Sequence, residues 1–277
     1  MKYIFPLVLL LFSSLSFGQA VSTSSTSDSN LSQSLRIESS YCTEAELAER
    51  KSPFSLIETP SDWYFQYPSG SEKGGMISQK IPSSFKSKYL SACKVSDSKN
   101  YLRFSLDASD KGKSKNGSSV RAELRHCKEW TLLNKSSLSY VFYVTSTDLQ
   151  QARFTVGQFL QHCSQKDSPL CRIEIENGKI IAVVVNYESD GKTRADGKSF
   201  RYDLGSISQK QEVSLKIAVE NKVLILYRDG EKMAEHIFHK KVSAKFKNYY
   251  KIGIYYQNKD SPNIFSEVFI RDLKVEV

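Results

Sequence analysis

The sequence predicts an all-β protein, a two-sheet sandwich or jelly roll, and three observations carry that expectation. After Pro53, runs rich in Val, Ile, Tyr and Phe alternate with short turn clusters. No segment sustains a helical period, so the alternation of strands and helices that builds a parallel α/β sheet is missing. Asn177-Gly178 and Asp229-Gly230 each stand between two such runs and read as two-residue hairpin turns, because both turn positions need positive φ. With 277 residues the chain is long enough for one large β domain with its own core.

In chain order, residues 1–20 read as a secretory signal. Lys2 supplies the charge, Ile4–Phe12 the apolar run, and Gly18 with Ala20 the small-residue cleavage pattern. The run is too short to span a bilayer, so an exported, soluble chain with no membrane partner is expected. Residues 21–50 form a Ser/Thr-rich leader, with a short helix expected from Thr43 to Glu49 under a Thr43 cap. Residues 51–277 are the β domain. Its strands are expected at Tyr101–Leu106, Val120–Arg125, Leu138–Thr145, Arg153–His162, Arg172–Glu176 and Lys179–Tyr187. Six more follow at Ser199–Leu204, Val213–Glu220, Val223–Arg228, Met233–His239, Tyr249–Gln257 and Phe265–Val277. The polar segments Asp107–Ser119 and Ser189–Lys198 read as surface loops able to border a cleft.

The net charge is +9, or +8 once Lys2 leaves with the signal, and a basic exported protein suits an anionic partner. The basic residues are dispersed rather than set in a stripe with stacking aromatics, which argues against nucleic acid. Five cysteines, at 42, 93, 127, 163 and 171, include no CxxC pair, so no zinc site is read and no metal or cofactor is expected. Export favours disulfides, and Cys163 with Cys171 is the pair placed to staple the loop containing Pro169. Sequons stand at Asn30, Asn116 and Asn134.

Three strands carry polar residues at alternate positions, the pattern that lines one sheet face. In Arg121-Ala-Glu123-Leu-Arg125 two guanidiniums flank a carboxylate while Ala122 and Leu124 point inward. Such a face can fix a sugar carboxylate bidentately. In the second, Gln158, Leu160 and His162 share a face. In Tyr249–Gln257 one face carries Tyr249, Lys251, Gly253, Tyr255 and Gln257, and the other packs Tyr250, Ile252, Ile254 and Tyr256. The glycine is expected to let a ligand approach the backbone. No paired-carboxylate glycosidase site, Ser-His-Asp arrangement or P-loop is readable.

Taken in order, Arg-x-Glu-Leu-Arg, then Gly157-Gln158, then Tyr-x-Lys-x-Gly-x-Tyr-x-Gln resemble the three signature strands of alginate lyases of polysaccharide lyase family 7. Trp63 with Pro68-Ser-Gly70, Ser168-Pro-Leu170 with the strand after it, and Phe265–Val277 extend the resemblance from about Trp63 to the end. It implies a β-jelly roll whose concave sheet forms the substrate cleft. It implies Tyr255, Gln158 and Arg121 as catalytic groups, with Lys251, Arg125, Glu123, Tyr249 and Gln257 binding substrate or supporting them. The family's Gln-x-His pattern would place a histidine at position 160, where this chain has Leu160. His162, one strand repeat further on, is the candidate replacement if a bulge returns it to the site.

The implied reaction is β-elimination on an acidic 1,4-linked uronan by a monomeric enzyme. Arg121 and Gln158 would neutralise the uronate carboxylate as charge develops beside it. Tyr255 would move the C5 proton and protonate the leaving oxygen. In this family a tyrosine serves both roles when proton and leaving group share a side of the ring, as in mannuronate, so Leu160 points to mannuronate blocks of alginate. The alternatives are another uronan such as glucuronan, or a polyanion-binding jelly roll without activity.

Overall fold

In the computed structural model, residues 52–71, 75–94, 99–110, 119–257 and 264–277 are described. The expected signal, leader and Thr43 helix, Cys42, and the sequons at Asn30 and Asn116 lie outside them.

The chain pairs into two antiparallel sheets. In spatial order the first runs β11 (Phe200–Ser206), β10 (Lys179–Val184), β9 (Ser168–Glu176), β8 (Arg153–Gln161), β15 (Lys247–Tyr256), β5 (Val120–His126), β1 (Trp63–Pro68) and β2 (Met76–Lys80). The two-residue β6 (Trp130–Thr131) pairs with the start of β15. The second sheet runs β14 (Glu231–Ile237), β13 (Val223–Arg228), β12 (Val213–Glu220), β7 (Ser136–Ser146), β16 (Phe265–Glu276), β4 (Asn100–Asp107) and β3 (Leu90–Lys94). Helical structure among the described residues is limited to two 3-10 turns, Pro53–Leu56 and Pro60–Asp62, each opened by a proline whose missing N–H costs nothing there. The fold is the expected β-jelly roll.

Both hairpin turns form as expected, with positive φ at Asn177, Gly178, Asp229 and Gly230. All twelve expected strands are present, with ends moved by a few residues. Four others, β1, β2, β3 and β6, have no local pattern that marks them.

The core lies between the sheets, where alternate side chains interdigitate. Phe65, Ala122, Leu124, Phe159, Ile252 and Ile254 from one sheet are fully buried with Phe104, Leu138, Phe142 and Val268 from the other. The inward face of β15 is the expected one, with Tyr250, Ile252, Ile254 and Tyr256 all in this core. The two buried phenols are satisfied: Ser136 donates to Tyr250 Oη at 3.0 Å, and Tyr256 Oη donates to Ser266 Oγ at 2.8 Å.

Two expectations are corrected. Cys163 and Cys171 do not staple their loop; with Cys127 they are free thiols. Cys171 points into the core from β9, whereas Cys163 is half-exposed beyond the end of β8. Burial pushes the Cys171 thiol up to about 12, which keeps it protonated and unreactive. Gly253, in turn, answers to the fold rather than to a ligand. Its φ is 141°, and a Cβ there would lie 2.2 Å from the Ala122 carbonyl oxygen and 3.0 Å from Phe104 across the core. The pairing of β15 with β8 slips by one residue at this point, the mark of a bulge.

Candidate active site

Strand pairing alone sets the order of the site. On β15, Lys251 lies between Arg125 of β5 and Gln158 of β8, Gly253 faces Glu123, and Tyr255 faces Arg121. On the far side of β5, Gln66 of β1 faces Glu123. Because these residues alternate with core residues, their side chains stand together on the face turned away from the core.

The carboxylate of Glu123, 1% exposed, is the point on which they converge. Gln158 Nε2 donates to Glu123 Oε1 at 2.5 Å. Arg121 Nη1 and Lys251 Nζ approach Glu123 Oε2 at 3.4 and 3.6 Å. Lys251 Nζ also donates to Gln66 Oε1 at 2.6 Å. Two cations, Arg121 and Lys251, thus share one buried anion, while Arg125, further along β5, pairs with Glu129 at 3.5 Å. Burial pushes the Lys251 ammonium down to about 8, and the neighbouring guanidiniums add to that shift while Glu123 opposes it.

Two arginine–tyrosine stacks flank this centre. The Arg121 guanidinium lies 4.2 Å from the Tyr255 ring centroid, and Arg125 stands 4.2 Å from that of Tyr249. The buried Nε of each arginine has no partner among the described residues, so both guanidiniums keep donors unspent.

A cleft of about 430 Å³ opens over this face. Arg121, Gln158, Leu160, Tyr249, Lys251, Tyr255 and Gln257 line it, as the sequence pattern placed them. Glu123 lies beneath it. The Gln257 amide is tied to Thr155 Oγ1 at 2.8 Å and Glu174 Oε1 at 3.0 Å, so it braces the wall.

His162 sits beyond the end of β8, beside Tyr249, with ring centroids 4.8 Å apart. Its Nδ1 meets Asp167 Oδ1 and its Nε2 meets Glu129 Oε1, both at 2.8 Å. Both partners are carboxylates, so the ring serves both only as a double donor, in its charged form. Partial burial works against that form, but the two hydrogen bonds outweigh it and the imidazole titrates above its usual value. Tyr249 Oη donates to Asp167 Oδ2 at 3.0 Å, closing the group. The slip in pairing after Phe159 places its extra residue on β9 rather than β8, so Leu160 keeps its place opposite Pro169 and Tyr249.

The sequence pattern missed Gln66, Lys166, Asp167, Arg172 and Tyr187. Arg172 was findable: Arg172, Glu174 and Glu176 alternate with core residues as Arg121–Arg125 do, and Arg172 Nε donates to Glu174 Oε1 at 2.9 Å. Gln66 and Tyr187 carry no such signal.

The fold and site thus define a two-sheet jelly roll with a cationic cleft built on alternating Arg, Gln, Lys and Tyr. The family model described as alginate lyase matches residues 54–277, and the chain belongs to that family. It is a polysaccharide lyase. No curated protein sequence matches it. Among solved structures, a doubly substituted family 7 alginate lyase A1-II' in complex with substrate (GGMG) is similar at TM-score 0.68 and 17% identity, over 82% of this chain and 96% of that one. Alginate lyase AlyC3 in complex with dimannuronate matches at TM-score 0.61 and 19% identity, over 83% and 96%. Alginate lyase PA1167 from Pseudomonas aeruginosa matches at TM-score 0.63 and 18% identity, over 79% and 99%. At these identities the likeness is one of fold.

Proposed function

We propose that this protein is an exported, monomeric lyase that cleaves the 1,4-linkages of alginate, mannuronate blocks preferred, by β-elimination. The carrying observation is the convergence of Arg121 and Gln158 on the single carboxylate of Glu123, with Tyr255 stacked on Arg121. Two donors held by one anion are within reach of a second carboxylate laid above it, which is what a bound uronate presents.

In the reaction, Arg121 and Gln158 take the charge that moves onto the C5 carboxylate as the C5 proton leaves. Tyr255 Oη, engaged as the phenolate beside Arg121, takes the C5 proton, and the phenol so formed then gives it to the leaving oxygen. The C5–H electron pair forms the C4–C5 double bond, the C4–O bond breaks, and the leaving oxygen receives the proton. Lys251 and Arg125 add positive charge, and Tyr249 supplies an aromatic wall. His162, engaged with two carboxylates, is assigned to holding that wall rather than to proton transfer. Mannuronate is favoured because one phenol can serve both proton transfers only when proton and leaving group lie on the same side of the ring, and Leu160 stands where the family carries histidine.

The test is absorbance of unsaturated product on polymannuronate, polyguluronate and glucuronan. Product from polymannuronate first and fastest is expected; cleavage of polyguluronate alone would overturn the preference. Binding of polyuronate without any product would replace the enzyme by the non-catalytic alternative.

A further inference from the structure

Gln66 touches the site from β1, a strand that no alternation of polar and apolar residues marks. It sits on β1, opposite Glu123, with Glu123 and then Gly253 next along the same row of the sheet. Its Oε1 accepts from Lys251 Nζ at 2.6 Å, the shortest contact that ammonium makes. Lys251 is 3% exposed, so the hydrogen bonds that water would supply must come from protein. Glu123 gives one weak contact at 3.6 Å, because its two oxygens already serve Gln158 and Arg121. Gln66 is therefore the main partner of the buried cation.

We propose that Gln66 is a positioning residue for the elimination: it holds the Lys251 ammonium in place, and through Lys251 and Glu123 it sets Gln158 and Arg121 toward the substrate carboxylate. The inference rests on the lyase reading of this cleft and deepens it. The chain of contacts is continuous, Gln66 to Lys251 to Glu123, and from Glu123 to both Gln158 and Arg121. Without an acceptor on its outer side, the ammonium faces Arg121 and Arg125 with only part of one carboxylate as counterion. It then sheds its proton at lower pH or swings toward Glu123, displacing Gln158. The charged and titratable groups around Lys251 are Arg121, Glu123 and Arg125 on β5, and Tyr249 and Tyr255 on its own strand. Gln158 on β8 and Gln66 on β1 are its neutral partners. Its ammonium titrates near 8, within reach of a pH profile.

Two readouts on the full chain test this. In the first, the pH profile of kcat/KM on polymannuronate is compared for wild type, Gln66→Leu and Gln66→Glu. Loss of the acceptor is expected to move the alkaline limb down by about one pH unit, a loss of about fivefold near pH 8 that approaches tenfold above it and is recovered at lower pH. A carboxylate at the same place is expected to move the limb up. In the second, the Lys251 side-chain methylene resonances are titrated by NMR in the same three proteins, and the midpoint is expected to fall and rise in the same order. An unmoved Lys251 midpoint, or a loss of activity uniform across pH, overturns the proposal. A wild type that makes no product on any uronan overturns the lyase reading instead, and the NMR titration still decides the role of Gln66.

Discussion

Glu123 is buried and yet decides what the solvent-facing groups do. Its two oxygens fix an amide and a guanidinium on one side and steady an ammonium on the other. Replacing it by glutamine keeps the volume and removes the carboxylate that Arg121 and Lys251 share. The expected cost is about 3 kcal/mol of stability, because a buried ion network loses its anion; a melting temperature equal to wild type would refute it. Tyr255 differs, being half-exposed and free of such duties. Tyr255→Phe is expected to lower kcat by about 10²–10⁴-fold while oligomannuronate binding by calorimetry stays within a few-fold. Leu160, opposite Tyr249, tests the missing histidine. Leu160→His is expected to raise activity on polyguluronate relative to polymannuronate, read from product absorbance on the two polymers.

At the scale of elements, β15 is the strand on which both halves of the protein depend. Its inward face fills the core and its outward face carries Tyr249, Lys251 and Tyr255. Both were legible, because strand alternation separates phenols and amines from isoleucines without any knowledge of neighbours. Gly253 was legible as a glycine and misread as to cause. Only the approach of β5 and Phe104 explains it, so Gly253→Ala is expected to destabilise the fold by about 2 kcal/mol or more, seen as an earlier chemical denaturation midpoint. Retention of the wild-type midpoint would mean that β15 shifts freely. β1 and β2 were illegible for a related reason. Tyr64-Phe-Gln-Tyr-Pro68 and Met76–Lys80 have no clean alternation, and their register is imposed by β5. Gln66 was hidden with them.

For the molecule as a whole, positive charge gathered in one cleft makes function and stability depend on pH in different senses. The Lys251 ammonium titrates near 8, below its ordinary value of 10.5. Its proton is bound more tightly in the unfolded chain, so this residue costs stability below about pH 8 and the cost fades as pH rises toward 10.5. Affinity for polyuronate runs the other way and is expected to fall above about pH 8 as that charge is lost. His162 has the opposite sign. Its folded value stands above 6.5, so its contribution is whole below that pH and is lost as pH climbs through the raised folded value. Melting curves of wild type and His162→Gln should therefore differ most in acid and converge in alkali.

The sequence by itself determined twelve of the sixteen strands, the two hairpins, the inward and outward faces and most of the cleft residues. Each of these follows from residue spacing along one strand, and a period of two needs no partner to be read. Tertiary structure alone decided which polar residues meet. The convergence on Glu123, the reach of Gln66 across β5, the diversion of His162 to Glu129 and Asp167, and the separation of Cys163 from Cys171 all depend on pairing between strands distant in the chain. That register is set by bulges and by steric limits such as the one at Gly253, which the local sequence does not encode.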